Sequence, residues 1–201
     1  MRIGYFGGTF DPPHRAHLKL ARAAADSLHL DRVLLAPTGL QPLKQAAPAG
    51  SFADRLAMVR LLCAGEDRME ASALDAPHAD GSPNYTVEAL ESLRQQFAGA
   101  TLYALTGADS FLSLPLWREP QKLLELAEWI VVTRPGFPLD DLSALQLTVA
   151  QRARVHLLPG MDDTASASGI RERLKMGVSC GDTLTPAVAL YIARMHLYHA
   201  R

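Results

Sequence analysis

The sequence predicts an α/β fold, a doubly wound parallel sheet in a single domain, and three observations carry that expectation. Short apolar runs, of the kind found in strands covered on both faces, alternate with stretches of helical period. Two of those runs lead into glycine, at Gly7-Gly8 and at Gly107-Ala108-Asp109, where a strand would give way to a turn. The chain has 201 residues, 48 % of them hydrophobic, which suffices for one substantial core and not for two comfortable domains, so residues 1–201 are read as one unit.

In chain order, residues 2–6 read as a buried strand that runs into the Gly7-Gly8 turn. From His17 onward Leu18, Ala21, Ala24, Ala25 and Leu28 recur at helical spacing, opposite Lys19, Arg22 and Asp26, with Asp11 expected as the cap and proline tolerated in the first turn. Residues 32–37 form a second strand, and residues 38–51, with two prolines and two glycines, a surface loop. Residues 52–62 are amphipathic, with Phe52, Leu56, Val59 and Leu62 or Cys63 as a core stripe. A short strand near residues 69–71 and a polar loop over residues 75–84 follow. A helix begins at Tyr85. Further strands are expected over residues 101–106, 129–133 and 154–158, with a short helix at residues 140–145. The hydroxyl-rich segment 164–168 precedes a helical pattern running to Leu174, and residues 185–199 form a closing helix, with His196 and His199 on the surface.

Composition excludes several classes of function. A formal net charge of −1 provides no global field for nucleic acid or an anionic membrane, so neither is expected as a partner and attraction for phosphate has to be built locally. No apolar run approaches the roughly 18 residues of a membrane span. Cys63 and Cys180 lack Cys-x-x-Cys spacing and no secretory leader is visible, which fits reduced thiols in a cytoplasmic protein. Neither histidine pair has the His-Glu-x-x-His spacing or a third ligand, so no protein-held metal is expected.

The chemistry is concentrated between Gly7 and His17. A strand, a tight turn and a helix aim unpaired N–H groups and the positive end of a helix dipole at whatever lies above the turn, which favours an anion. His14 and His17 lie three residues apart, on one face of the first helical turn, where both rings reach the same phosphate chain. On these residues alone, a plain turn carrying two surface histidines also fits.

The string Gly8-Thr9-Phe10-Asp11-Pro12-Pro13-His14-Arg15-Ala16-His17 resembles the GxFDPxHxGH motif of the nucleotidyltransferase superfamily, with Ala16 where the family usually has glycine, and its wording is similar to the bacterial nicotinate-nucleotide adenylyltransferases. The resemblance implies a Rossmann-like nucleotidyltransferase fold, and a nucleotide site that includes Gly7, Gly8, Thr9 and Phe10. It implies further roles along the chain: Asp109 on ribose hydroxyls, Arg134 close to the adenine, Thr86 on the nicotinate carboxylate and Trp117 stacked on the pyridine ring. Lys44, in Gln41-Pro42-Leu43-Lys44, stands where the family has Pro-x-His-Lys, with Leu43 in place of the histidine, and is assigned to a substrate phosphate. Asn84 and Ala89 replace the family's serine and threonine around the Tyr85-Thr86 helix start. Bland readings stay open for these: a helix-start cap for Thr86, packing for Trp117, a solvated side chain for Lys44.

A second anion site is expected at residues 164–174, where a small, hydroxyl-rich segment caps a helix and Arg171 adds a planar charged fork one turn inside. It resembles the family's Ile-Ser-Ser-Thr-x-Ile-Arg element, matching at Ser166, Ile170 and Arg171 and departing at Ala165, Ala167 and Ser168. The implied reaction joins ATP to nicotinate mononucleotide, with His14, His17 and Arg171 stabilising the charge that grows during transfer, and with Mg2+ arriving on the triphosphate. Two other readings are carried forward: transfer to another acceptor, nicotinamide mononucleotide or phosphopantetheine, and a nucleotide-binding protein without catalysis. A metal-dependent hydrolase built on His14 and His17 is a remote third. Oligomeric state is left open, a homo-oligomer included.

Overall fold

All six strands run in the same direction, in the order β3-β2-β1-β4-β5-β6. They are β1 (Arg2–Gly8), β2 (Arg32–Pro37), β3 (Met69–Ala71), β4 (Thr101–Gly107), β5 (Glu128–Val132) and β6 (Val155–Leu158). Between and after them come α1 (Arg15–Ser27), α2 (Phe52–Cys63), α3 (Thr86–Gln96), α4 (Ala108–Leu112), α5 (Pro120–Leu126), α6 (Val149–Arg152), α7 (Ala167–Lys175) and α8 (Pro186–Arg194). The structure is a computed structural model that describes residues 1–43, 46–133, 142–160 and 165–199.

The strands are continuous apolar runs because alternate side chains face two separate cores. Val33 and Leu35 of β2, Tyr103 and Leu105 of β4, and Ile130 and Val132 of β5 join the core formed with α1, α2 and α8. Their neighbours Leu34, Ala36, Leu102, Ala104, Trp129 and Val131 join Ile3 and Tyr5 in the other core, under α3, α4 and α5. A period of two on a sheet covered on both sides yields this division in the inner strands, while the edge strands β3 and β6 carry Glu70 and His156 in mid-strand.

Three local expectations are corrected. Asp11 does not cap α1: the N-cap is His14, and the Asp11 carboxylate instead accepts from the backbone N–H groups of Ala49 (2.7 Å) and Gly50 (2.9 Å). The closing helix is shorter than residues 185–199. It ends at Arg194, because His196 and Tyr198 take left-handed backbone conformations, with φ of 51° and 64°, that break the helical path. Residues 120–126, to which the sequence pattern assigned no element, are helical as well, with Pro120 in the first turn. Of the short helix expected at residues 140–145, Leu142–Leu145 is a 3-10 turn, and residues 140 and 141 lie outside the described residues.

Candidate active site

The chain leaves β1 toward β2 on one side and later returns to β4 on the other. That reversal opens a crevice beyond the carboxyl ends of β1 and β4, where open α/β sheets bind ligands. Two cavities occupy it. The first, about 460 Å³, is lined by Gly7 and Gly8 from β1, Thr106 and Gly107 from β4, and Thr86 and Trp117. The second, about 420 Å³, is lined by Phe10, Asp11, His17, residues 46–49, Ala167, Ser168 and Arg171. Thr9, Thr38 and Gln41 line both, so the cavities meet at this trio, where the Thr9 hydroxyl donates to Gln41 Oε1 at 3.3 Å.

Glycine at position 7 has a direct steric reason. A Cβ there would fall 2.5 Å from the Tyr5 hydroxyl, which lies beneath the end of β1, 3.4 Å from the buried carboxyl of Asp75. Burial raises the pKa of both groups, and the Asp75 charge raises Tyr5 further. Phe10 follows in a left-handed conformation, φ 49°, that tucks its ring into the core beside Phe6 and His17.

His17 sits in the first turn of α1 with its ring centroid 3.8 Å from that of His14 and 4.9 Å from that of Phe10. The backbone N–H of His14 donates to His17 Nδ1 at 3.2 Å. Burial first, and then the neighbouring His14, hold His17 well below the ordinary histidine pKa, so the ring is neutral. With Nδ1 accepting, the ring proton is on Nε2, which makes Nε2–H the donor available to an oxyanion. His14 is buried next to it and is not among the residues lining either cavity.

Arg171 enters the second cavity from α7, whose N-cap Ser166 accepts from the N–H of Gly169 at 3.1 Å. Its Nη1 donates to the backbone carbonyl of Asp11 at 2.6 Å. This contact joins the two ends of the sequence, 160 residues apart, at one site.

The other expected site residues are distributed as follows. Ile170 is 2 % exposed and belongs to the core, one residue short of the cavity. Asp109 is exposed in the first turn of α4, while its neighbours Gly107 and Ser110 line the first cavity. Trp117 lines that cavity edge-on to Trp129, with ring centroids 5.9 Å apart, and its indole N–H donates to the Ser113 hydroxyl at 3.0 Å. Lys44 and Arg134 lie outside the described residues. The departures from the motif have local accounts. Ala16 is buried and lines neither cavity, Ala89 is core, and Asn84 ties the loops on either side of the first cavity by accepting from Leu40 N–H (2.8 Å) and donating to the Ala76 carbonyl (2.7 Å).

Two contributors escaped the sequence reading. Arg55, 2 % exposed on the core side of α2, donates from Nη1 to the carbonyls of Thr9 (2.7 Å) and Thr38 (2.9 Å), and from Nε to that of Gly50 (3.3 Å). An arginine adjoining an apolar stripe was the available signal. Tyr198, from beyond α8, donates to Asp11 Oδ1 at 2.7 Å, and no local pattern announces it. Among the described residues no cluster of three or more metal-ligating side chains occurs, and no helix is long and apolar enough to cross a membrane.

Residues 5–173 match the cytidylyltransferase-like family. Among relatives, a probable nicotinate-nucleotide adenylyltransferase of Thermomicrobium roseum is 39 % identical over 197 residues, covering 98 % of this chain and 91 % of that one. One of Gloeobacter violaceus with the same description is 38 % identical over 199 residues, covering 98 % and 96 %. Among solved structures, a Plasmodium falciparum nicotinic acid mononucleotide adenylyltransferase complexed with NaAD superposes with a TM-score of 0.75, over 98 % of this chain and 97 % of that one. At 18 % identity that likeness speaks for the fold.

Proposed function

This chain belongs to the cytidylyltransferase-like family and, within it, to the nicotinate-nucleotide adenylyltransferases, and from that premise we infer that it joins ATP to nicotinate mononucleotide, releasing pyrophosphate and nicotinate adenine dinucleotide, a step of NAD biosynthesis. The observation that carries this reading is the pair of cavities meeting at Thr9, Thr38 and Gln41, a cleft in two parts for two phosphorylated reactants whose product spans both.

In this reading ATP lays its phosphates in the second cavity and reaches past Thr9 to Gly7 and Gly8, and the mononucleotide occupies the remainder of the first cavity. An oxygen of the mononucleotide 5′-phosphate attacks the α-phosphorus of ATP in line. The bond from that phosphorus to the bridging oxygen of the leaving pyrophosphate breaks, and no covalent intermediate with the protein forms. Two anions must be held together, so the protein's task is alignment and charge stabilisation. His17 Nε2–H and the Arg171 fork donate to the phosphates, with His14 fixing the His17 ring through its own backbone N–H. Trp117 faces the pyridine ring and Thr86 its carboxylate.

Enzymes of this kind use ATP with a divalent metal, and Mg2+ is the ion assigned here. The donor set of the second cavity suits a metal carried by the nucleotide. Its one described carboxylate, on Asp11, already accepts from Ala49, Gly50 and Tyr198. The ion would therefore be held by phosphates and water, and when bound it would supply charge neutralisation on the triphosphate. A cytoplasmic setting belongs to the same reading and is supported by two buried free thiols, Cys63 and Cys180.

The test is pyrophosphate release from Mg-ATP with nicotinate mononucleotide, nicotinamide mononucleotide and phosphopantetheine offered separately. Strong preference for the first is expected. Preference for another acceptor keeps adenylyl transfer and changes the substrate, and ATP binding without release from any of the three overturns the catalytic reading.

A further inference from the structure

The Asp11 carboxylate is almost completely buried beside the second cavity, and its two oxygens are divided among several partners. Oδ2 accepts from Ala49 N–H at 2.7 Å and lies 4.0 Å from Arg171 Nη1. Oδ1 accepts from Gly50 N–H at 2.9 Å and from the Tyr198 hydroxyl at 2.7 Å. That meeting is tight: a Cβ on Gly50 would fall 2.8 Å from the Tyr198 oxygen and 2.9 Å from Asp11 Oδ1. Arg171 Nη1 spends its bond on the main-chain carbonyl of Asp11 and not on the carboxylate. The other cation facing Asp11, Arg55, is engaged with the carbonyls of Thr9, Thr38 and Gly50.

We propose that the Tyr198 hydroxyl is a positioning group for the nucleotide site: by completing the hydrogen bonding of Asp11 it leaves the Arg171 fork to the phosphates of ATP. A buried anion that loses one of its donors draws in the nearest cation, and here that cation is Arg171. The left-handed turns at His196 and Tyr198 bring the hydroxyl to Asp11 after α8 has ended. Burial, and then the bond to Asp11, raise the Tyr198 pKa well above the ordinary tyrosine value, so the hydroxyl remains a donor at any working pH.

The inference rests on reading the second cavity as the ATP site, and its test is separable from that reading. Tyr198→Phe keeps the ring, which packs against the core, and removes only the hydroxyl. The expected result is a roughly tenfold rise in the dissociation constant of Mg-ATP by calorimetry and in its KM, with the KM for nicotinate mononucleotide within about twofold. On an Arg171→Met background the same change has little further effect on ATP, because the hydroxyl acts through Arg171. A role in packing alone leaves ATP binding of Tyr198→Phe unaltered, and unaltered binding overturns the proposal. Effects of the two substitutions that multiply independently overturn the route through Arg171. Failure of the native chain to bind Mg-ATP at all overturns this inference together with the assignment of the cavity. Binding without pyrophosphate release counts against the catalytic reading and leaves the Tyr198 comparison decided by its binding constants.

Discussion

Arg55 Nη1 donates to the backbone carbonyl of Thr9 at 2.7 Å, and through that contact a helix on one face of the sheet holds the segment that leads from β1 into the second cavity. The same nitrogen reaches Thr38 at the end of β2, so one guanidinium sets the separation of two strand ends. Its burial lowers its pKa, although an arginine stays charged at any accessible pH.

Replacing Arg55 by methionine keeps most of the apolar stem and strands three carbonyls. Each buried group left unsatisfied costs about 1–3 kcal/mol, and the low end of that range, taken for carbonyls that border a cavity water can enter, gives an expected total of about 3 kcal/mol. For a chain of this size that lowers the melting temperature by roughly 6–12 °C. Thermal unfolding followed by circular dichroism checks it, and a melting temperature within about 2 °C of the native value would show that the contacts to Thr9 and Thr38 contribute little.

His17→Ala removes the Nε2–H donor from the second cavity. Turnover is expected to fall by on the order of 10²–10³, the usual scale for a single donor that acts in the transition state. Steady-state pyrophosphate release measures this. Near-native turnover would take His17 out of the chemistry.

Acid sensitivity follows from the depressed pKa of His17. The unfolded chain takes up that proton near the ordinary value of about 6.5, while the folded chain, with a lower pKa, refuses it. Stability from this source is complete above that value and is lost as pH falls below it, because the unfolded state then binds the extra proton. The melting temperature of His17→Asn should therefore drop less between pH 7 and pH 5.5 than that of the native chain. Equal drops would assign the acid sensitivity to other groups.

Trp117 has one flank on the first cavity and one on Trp129. Stacking of an aromatic side chain on a base is worth about 1–3 kcal/mol. Trp117→Ala is accordingly expected to raise the KM for the mononucleotide roughly tenfold or more, with the KM for ATP nearly constant. A lower melting temperature with both constants unchanged would mean that Trp117 only packs.

The parallel sheet was legible because its strands are short runs buried on both sides, and because amphipathic helices stand between them at a spacing that permits no hairpin. Helix ends were less legible. The N-cap of α1 at His14 and the stop of α8 at Arg194 depend on contacts with other segments: Asp11 is claimed by Ala49 and Gly50, and the chain at Tyr198 is turned toward Asp11.

The sequence by itself determined the succession of strand, connection and helix over residues 2–27, the neighbouring histidine pair, and the membership in a family of nucleotidyltransferases, because each depends on residues close together in the chain. Only the tertiary structure decided that Arg171 and Asp11 share one cavity wall, that Arg55 braces two strand ends, and that Tyr198 reaches the same carboxylate. Those relationships join residues between 17 and 187 positions apart, and no local periodicity encodes a partner at that distance. They arise when the sheet order brings the ends of β1, β2 and β4 together and burial confines these polar groups to the few partners within reach.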